Sequence, residues 1–307
     1  MKIAVIGAGG VGGYFGARLA KAGHDVQFLV RGAHGQAMGE RGLRIQSEVE
    51  SFTLERPRIT GTPGDLAGAE VMLVTTKLWD LEATARQVAP AVGPQAVVVP
   101  FQNGVDAIDM LATSIPRERI AAGTAYISAV IDSPGVIAHT GTFARLRVGA
   151  LHPSQRESLV AFAAAGEKAG FAAEFVQEPQ RMLWEKFILL NTLSGMTALT
   201  RQTIGVIRTD PHLRDVFRAV FREGMELAAA SGVPMAPDFA ERNEAVLDAL
   251  PESMRASMAH DLLAGRRLEA PWLCGAVVRR AAAAGVPVPV NATVWAALKP
   301  FVDGAAG

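Results

Sequence analysis

The first half of the chain alternates short apolar runs with stretches in which apolar residues recur at helical spacing. The clearest runs are β-branched and nearly continuous, and they occupy residues 2–6, 25–30, 71–75 and 96–99. Runs of this kind are typical of parallel strands that are covered on both faces. Because helical patterns lie between several of them, the sequence predicts an α/β fold with a doubly wound sheet.

Three later segments predict a small antiparallel extension of that sheet. They are residues 124–131, 136–139 and 145–148, and Ser133-Pro134-Gly135 between the first two has the composition of a turn. The alternation of strand and helix patterns continues to about residue 178.

From Pro179 onward almost every segment has helical periodicity. Asp210 can cap a helix that begins with Pro211, and the apolar residues that follow recur at three- and four-residue spacing. Further helices are predicted at residues 179–193, 253–264, 271–284 and 291–302. The sequence therefore predicts a boundary between an α/β domain, residues 1–178, and an all-helical domain, residues 179–307.

Composition narrows the classes of function. The 307 residues suffice for two domains, and 30 basic side chains balance 30 acidic ones, so nothing indicates binding to nucleic acid or to a membrane surface. No signal peptide is expected, and no apolar run reaches the roughly eighteen residues of a membrane span. The single cysteine, Cys274, fits a reducing compartment, so we expect a cytoplasmic protein. The six histidines show no ligand spacing, so no metal site is expected.

The first predicted strand runs directly into a glycine-rich segment, Gly7-Ala8-Gly9-Gly10-Val11-Gly12. In a dinucleotide-binding loop, Gly7 permits a tight turn, Gly9 admits a pyrophosphate and Gly12 lets the following helix pack closely on the sheet. The alternative is an ordinary turn that needs glycine at positive φ. The order of strand, loop, helix and second strand favours a Rossmann-type dinucleotide-binding domain over that alternative.

The end of the second predicted strand distinguishes NADP(H) from NAD(H). An NAD site normally has Asp or Glu there, which accepts a hydrogen bond from the ribose 2′-hydroxyl. This chain has Leu29-Val30-Arg31, and a guanidinium can pair with the 2′-phosphate of NADP. The alternative is a solvated surface arginine. The pattern favours NADP(H).

Two further strand ends carry polar residues where ligands bind in open α/β sheets. Lys77 lies at the first of these strand ends and could contact a hydroxyl or phosphate of the cofactor. Asn103-Gly104 follows the next, and Asn103 could bridge cofactor and substrate. An Asn-Gly pair often marks a hairpin, but helix-like sequence follows here instead of an antiparallel strand.

Lys186 lies in a largely apolar helical segment, residues 182–191. The pKa of a lysine in an apolar segment shifts readily with its surroundings. A positioned ammonium group could polarise a carbonyl and then protonate the resulting alkoxide. The alternative, a lysine that extends from the helix edge into solvent, stays open on the pattern alone.

Several ordered motifs give the chain a resemblance to a known family. They are the opening KIAVIGAGGVGG, the strand end VTTK, the turn QNG, the tetrapeptide LWEK, Ser257-Met258, Glu269 and the C-terminal GVPVPVN of residues 285–291. Over essentially its full length, the chain resembles the ketopantoate reductases (2-dehydropantoate 2-reductases). The resemblance implies hydride transfer from NADPH to a 2-oxo acid that sits between the domains, and ketopantoate itself would place the protein in pantothenate and coenzyme A biosynthesis.

The resemblance also implies roles for individual residues. Lys186 matches the catalytic lysine that donates a proton to the carbonyl oxygen, and Asn103 matches the asparagine that contacts cofactor and substrate. Ser257 matches a serine that binds the polar end of the substrate. Glu269 matches a glutamate that contacts the cofactor and helps to hold the active centre. Arg31 falls where the family binds the 2′-phosphate.

The chain departs from the family pattern near Lys186. The family commonly has asparagines four and eight residues after the lysine, whereas this chain has Leu190 and Ser194. We expect Ser194 to help orient the substrate, but Leu190 removes an amide from a polar site. Two alternatives therefore stay open: a paralogous NADPH-dependent reductase of another ketone or 2-oxo acid, and a non-catalytic NADP-binding sensor. A homodimer is the assembly we allow for, although no residue pattern indicates it.

Overall fold

The structure is a computed structural model that describes residues 1–304 of the chain. Its strands are β1 (Lys2–Ile6), β2 (Asp25–Leu29), β3 (Leu43–Ser47), β4 (Phe52–Leu54), β5 (Arg58–Thr60), β6 (Val71–Val74), β7 (Val97–Pro100), β8 (Ala122–Ser133), β9 (Val136–Gly149) and β10 (Ala172–Phe175). Its α-helices are α1 (Gly10–Lys21), α2 (Gly32–Arg41), α3 (Leu81–Val88), α4 (Ala107–Leu111), α5 (Arg156–Lys168), α6 (Pro179–Thr200), α7 (Ile204–Thr209), α8 (Pro211–Ala230), α9 (Phe239–Ala249), α10 (Ser257–Leu263), α11 (Cys274–Ala284) and α12 (Pro289–Leu298).

The chain divides into two compact units. The first comprises Met1–Gln102 and Ala107–Pro179, and the second comprises Asn103–Asp106 and the chain from Gln180 onward. The four residues Asn103–Asp106 therefore pack with the second unit, although the chain on either side of them belongs to the first.

The first unit is built on a five-stranded parallel sheet in the order β5-β2-β1-β6-β7. Strand β1 lies at its centre and pairs in parallel with β2 on one side and β6 on the other. Its residues Ile3, Val5 and Ile6 are almost fully buried, as are those of β6 and β7. The predicted doubly wound sheet is confirmed, because continuous apolar strands need cover on both faces.

A second sheet in the same unit has the strand order β10-β9-β3-β4, and β8 pairs antiparallel with β9. The expectation of a small antiparallel extension was wrong in two respects. Residues 136–149 form one continuous strand, and β9 pairs in parallel with both β3 and β10. The turn at Pro134-Gly135 is present, and Gly135 has a φ of +86°. Strands β3, β4 and β10 are only five, three and four residues long, so their apolar pattern is weak.

The hairpin of β8 and β9 packs directly against the glycine-rich segment. A Cβ atom placed on Gly10 would lie 2.0 Å from the backbone oxygen of Ala129 in β8. No real Cβ contact is that short, so glycine is required at this position because of the hairpin.

The second unit is helical, and one apolar core runs through it. The predicted cap is present, because Asp210 Oδ1 accepts a hydrogen bond of 2.9 Å from the backbone N–H of Leu213 at the start of α8. Helix α6 continues one to two turns beyond its predicted end near residue 193. Thr192, Thr197 and Thr200 each donate a hydroxyl hydrogen bond to the carbonyl four residues earlier, so these polar residues fit inside the helix.

Buried polar side chains join α6, α8 and α12. Glu223 of α8 accepts hydrogen bonds of 2.8 Å from the backbone N–H groups of Val290 and Asn291, at the first turn of α12. Asn291 also donates from Nδ2 to Glu223 and accepts from Asn191 of α6. The carboxylate thus satisfies free N–H groups that a buried helix start would otherwise leave without partners. Among residues 1–304, no helix combines the length and apolar character that a membrane crossing needs.

Candidate active site

The glycine-rich segment between β1 and α1 has the local geometry that the sequence predicts. Gly7 has a φ of +95°, which favours glycine, and a Cβ on Gly12 would lie 2.1 Å from the backbone oxygen of Gly7. Around Gly9, by contrast, a Cβ would meet no atom within 4 Å. Gly7 is therefore favoured by its backbone conformation and Gly12 is required by packing, whereas Gly9 leaves open space at the N-terminus of α1. Free backbone N–H groups at a helix start attract an anion.

Polar groups gather where β6 and β7 end. Gln102 donates from Nε2 to the carbonyl oxygens of Val74, at 3.1 Å, and Thr76, at 2.9 Å. Within the described residues, Gln102 Oε1 and Thr76 Oγ1 are buried and have no hydrogen-bond partner. Sequence analysis did not select Gln102 or Thr76; their only signal was their place inside the QNG and VTTK motifs.

The two predicted cofactor cations follow strand ends in the same unit. Arg31 is exposed and immediately precedes α2, two residues after β2 ends. Lys77 is exposed three residues after β6, and its amine lies 5.4 Å from the ring centroid of Trp79. Since the strands are parallel, both cations follow carboxyl ends, at the same edge of the sheet as the glycine-rich segment.

These features fit a nicotinamide dinucleotide. The open space at Gly9 admits a pyrophosphate, and the first turn of α1 carries no acidic residue that would repel it. Arg31 is exposed just after the second strand, and no carboxylate lies at the end of that strand. Among residues 1–304, no three His, Cys, Asp or Glu side chains group together as ligands for a metal ion.

Lys186 lies on α6 in the second unit, among buried neighbours that include Trp184, Phe187 and Ile188. The lysine side chain is half-buried. Desolvation of its amine lowers the pKa to about 8, and the negative charge of Glu269 partly offsets this effect. The burial of α6 thus gives Lys186 an amine that exchanges its proton near neutral pH.

Asn103 and Glu269 form the polar part of the same site. Asn103 Nδ2 donates a hydrogen bond of 2.9 Å to Glu269 Oε2. Glu269 immediately precedes the 3₁₀ turn Ala270–Trp272, and its charge acts on Lys186. The structure therefore brings together three of the residues that the sequence selected, from three distant segments of the chain.

The two predicted substrate-binding serines have different surroundings. Ser194 is 1% exposed on α6, and its Oγ has no hydrogen-bond partner in the part of the chain that the structure describes. Ser257 is exposed and is the first residue of α10. Leu190 is half-buried and packs against the apolar core of the helical unit.

This arrangement supports proton transfer to an oxygen atom. A desolvated ammonium with a pKa near 8 is a stronger acid than an ordinary lysine, and at neutral pH it still carries its proton. The nearby carboxylate keeps it charged, and the Asn103 amide holds that carboxylate in place. A general acid of this kind suits the reduction of a carbonyl group.

Comparison with known protein families identifies both parts of the chain. The sequence profile described as ketopantoate reductase PanE/ApbA matches residues 3–153, and the profile of the C-terminal part of the same family matches residues 179–302. A 2-dehydropantoate 2-reductase of Caulobacter vibrioides is 31% identical over 97% of this chain and 98% of its own length. One from Halobacterium salinarum is 30% identical over 96% of both chains.

Solved structures give the same result for the whole fold. A PanE/ApbA family ketopantoate reductase from Ralstonia eutropha JMP134 superposes with a TM-score of 0.87, at 30% identity and with 98% of each chain covered. A D-mandelate dehydrogenase solved with NADH and anilino(oxo)acetate shares the fold, with a TM-score of 0.88 over 98% of each chain, at 20% identity. The relatives at 30% identity and above are named as reductases of a keto group, so this chain is an oxidoreductase of that class. It belongs to the ketopantoate reductase PanE/ApbA family.

Proposed function

We propose that the protein reduces a 2-oxo acid with NADPH, that its substrate is ketopantoate and its product pantoate, and that it serves pantothenate and coenzyme A biosynthesis. The observation that carries this proposal is the Lys186 amine, whose pKa is lowered by burial to about 8 beside Glu269. Family membership and the relatives' names support the choice of substrate.

In this proposal, the first unit holds the cofactor through the segment from Gly7 to Gly12. The free N–H groups of α1 face the pyrophosphate. Arg31 pairs with the 2′-phosphate as a bidentate guanidinium, and Lys77 contacts a hydroxyl or phosphate group. When bound, NADPH supplies the hydride that adds to the keto carbon.

Lys186 supplies the proton. Its ammonium group donates a hydrogen bond to the keto oxygen, stabilises the negative charge that develops there and transfers a proton to the alkoxide. One hydride and one proton convert the keto group to a secondary alcohol, and the neutral amine regains its proton from solvent. Glu269 favours the charged amine, and Asn103 contacts cofactor and substrate while it holds Glu269.

The remaining polar residues orient the substrate. Ser257 binds its polar end with an exposed hydroxyl, and Ser194 contributes a second hydroxyl from α6. Ser194 Oγ is buried and without a partner in the described chain, so it can accept or donate one hydrogen bond without breaking another.

A second candidate function is favoured by Leu190. A half-buried leucine one turn after Lys186 offers no hydrogen bond, so it suits a 2-oxo acid whose side chain lacks a hydroxyl group. Ketopantoate and trimethylpyruvate separate the two candidates, because they differ by that one hydroxyl.

The test is the steady-state oxidation of NADPH with both acids. A value of kcat/KM that is about 10-fold or more higher for ketopantoate supports the first candidate, and equal or higher values for trimethylpyruvate support the second. If neither acid nor a wider panel of 2-oxo acids oxidises NADPH, the proposal is wrong. Restored growth of a pantothenate-requiring strain that lacks its own ketopantoate reductase tests the role in biosynthesis.

A further inference from the structure

Asp106 lies between two arginines of helix α11. Its Oδ2 accepts a hydrogen bond of 3.0 Å from Arg279 Nη2, and its Oδ1 accepts one of 2.8 Å from Arg280 Nε. Arg280 Nη2 also lies 2.7 Å from the same Oδ1. The Asp106 side chain is only 15% exposed. Each oxygen of this sheltered carboxylate therefore has a cationic partner, which makes the pairing strong and directional.

The same arginines also contact the two segments that carry Asn103 and Glu269. Arg279 Nη1 donates a hydrogen bond of 2.7 Å to the backbone oxygen of Pro271, two residues after Glu269. Its other amino group donates to Asp106, three residues after Asn103. One guanidinium group thus bridges the segment after Asn103 and the turn after Glu269.

Close backbone packing accompanies this bridge. Gly104 has a φ of +95°, and a Cβ atom on it would lie 2.8 Å from the backbone oxygen of Trp272. Gly104, which follows Asn103, and Trp272, three residues after Glu269, are therefore in close contact as well. The distance between the two segments is set by the backbone and by Arg279 together.

We propose that Asp106, Arg279 and Arg280, here called the arginine clamp, are positioning residues that hold Asn103 against Glu269. In this role the clamp acts through Asn103 and Glu269 and is assigned no contact with substrate or cofactor. It rests on the proposed function in one respect, namely that the Asn103–Glu269 pair serves the chemistry at Lys186.

The electrostatics of Lys186 provide a measurable consequence. Glu269 is the charged group that raises the pKa of this amine against the effect of burial. The neighbouring acid on α6, Glu185, is instead paired with Arg242 at 3.6 Å. If the clamp holds the Glu269 carboxylate in place, removing the clamp should weaken the interaction between this carboxylate and the Lys186 amine. The pKa of Lys186 should then fall further.

The experiment compares Asp106→Asn and Arg279→Gln with the wild-type protein. The pKa of the Lys186 amine is measured by competitive acetylation across pH, with the labelled peptide quantified by mass spectrometry and no substrate or cofactor present. We expect both variants to lower it by about half a pH unit or more, and the basic limb of the kcat profile to move down by the same amount. A decrease of about 10-fold in kcat should accompany this shift. Arg279 is 55% exposed, so its variant keeps the test available if Asp106→Asn does not fold.

Glu244→Gln is the matched control. Glu244 accepts hydrogen bonds from two arginines of one helix, Arg214 and Arg218 on α8, but it contacts no residue of the candidate site. The Glu244→Gln variant should lose thermal stability without a change in the pKa of Lys186. If the two clamp variants also leave that pKa unchanged, the clamp does not position the pair and this inference is wrong. The acetylation measurement needs no turnover, so it tests the clamp independently of the proposed function. A wild-type rate of reduction in Lys186→Ala would reject the proposed function and leave the result for the clamp unaffected.

Discussion

Asn103 and Glu269 share a hydrogen bond of 2.9 Å, although 166 residues separate them in the chain. The bond occupies Oε2 of a carboxylate whose charge acts on Lys186. Three segments that are far apart in sequence therefore determine jointly how strongly one amine holds its proton.

The rate of reduction should fall at high pH. In the proposed mechanism Lys186 acts as an acid and must be protonated, and its pKa is about 8. We expect kcat/KM for the 2-oxo acid to be level below that pH and to decrease roughly tenfold for each pH unit well above it. Oxidation of the alcohol with NADP⁺ needs the neutral amine and should increase through the same pH range. Glu269→Gln should move both limbs to lower pH, because the charge that raises this pKa is lost.

Replacing Lys186 should remove the chemistry and leave cofactor binding intact. Without a proton donor, Lys186→Ala should reduce kcat by about 10²- to 10⁴-fold. NADPH affinity, measured by fluorescence titration, should change little, because the proposed cofactor contacts of the first unit are untouched. Lys186→Arg serves as the control for charge, since a guanidinium keeps the cation but does not release a proton near neutral pH. Full activity in Lys186→Ala would show that another group is the acid.

Local sequence patterns were sufficient to predict the parallel sheet, the glycine-rich segment and the cap at Asp210. In each case, the residues that determine the structure are neighbours in the chain. The arginine clamp was not predictable, because Asp106 and its partners are 173 and 174 residues apart and charged side chains are common on helices. Lys186 could be selected only with the help of the family resemblance, since an apolar helix also accommodates lysines that reach solvent.

Arg31→Glu should discriminate between the two nicotinamide cofactors. The variant places an anion where the 2′-phosphate of NADPH is proposed to bind, whereas NADH has a hydroxyl there that a carboxylate can accept from. We expect the Kd for NADPH to increase by about 10-fold or more and the Kd for NADH to stay level or decrease. Arg41→Glu, at the exposed end of α2, is the matched control. Equal effects of Arg31→Glu on both cofactors would place Arg31 outside the site.

Two glycines of the glycine-rich segment should respond differently to replacement by alanine. Gly12→Ala would place its Cβ 2.1 Å from a backbone oxygen, so we expect a loss of at least about 2 kcal/mol in the free energy of unfolding. Gly9→Ala has open space and should fold normally. The new methyl group would instead occupy the proposed pyrophosphate site, so NADPH binding should weaken. Urea unfolding and cofactor titration of both variants measure these effects, and normal NADPH affinity in Gly9→Ala would contradict the proposed site.

Glu223→Met should destabilise the helical unit. Methionine is an unbranched side chain of similar length, but the N–H groups of Val290 and Asn291 lose a buried acceptor. An unsatisfied buried donor is costly, so we expect a loss of about 2–3 kcal/mol in the free energy of unfolding. Glu226→Met, at an exposed position of the same helix, should change stability by about 0.5 kcal/mol or less. Similar values for the two variants would mean that the network contributes little.

The contact between Gly10 and Ala129 limits how this enzyme can be re-engineered. A strand from a different sheet occupies the place where a side chain on the loop would point. A loop transplanted from another dehydrogenase, with any residue larger than glycine at that position, would collide with the hairpin and displace it. A successful change of cofactor preference should therefore keep glycine at position 10, or should replace the loop and the β8–β9 hairpin together.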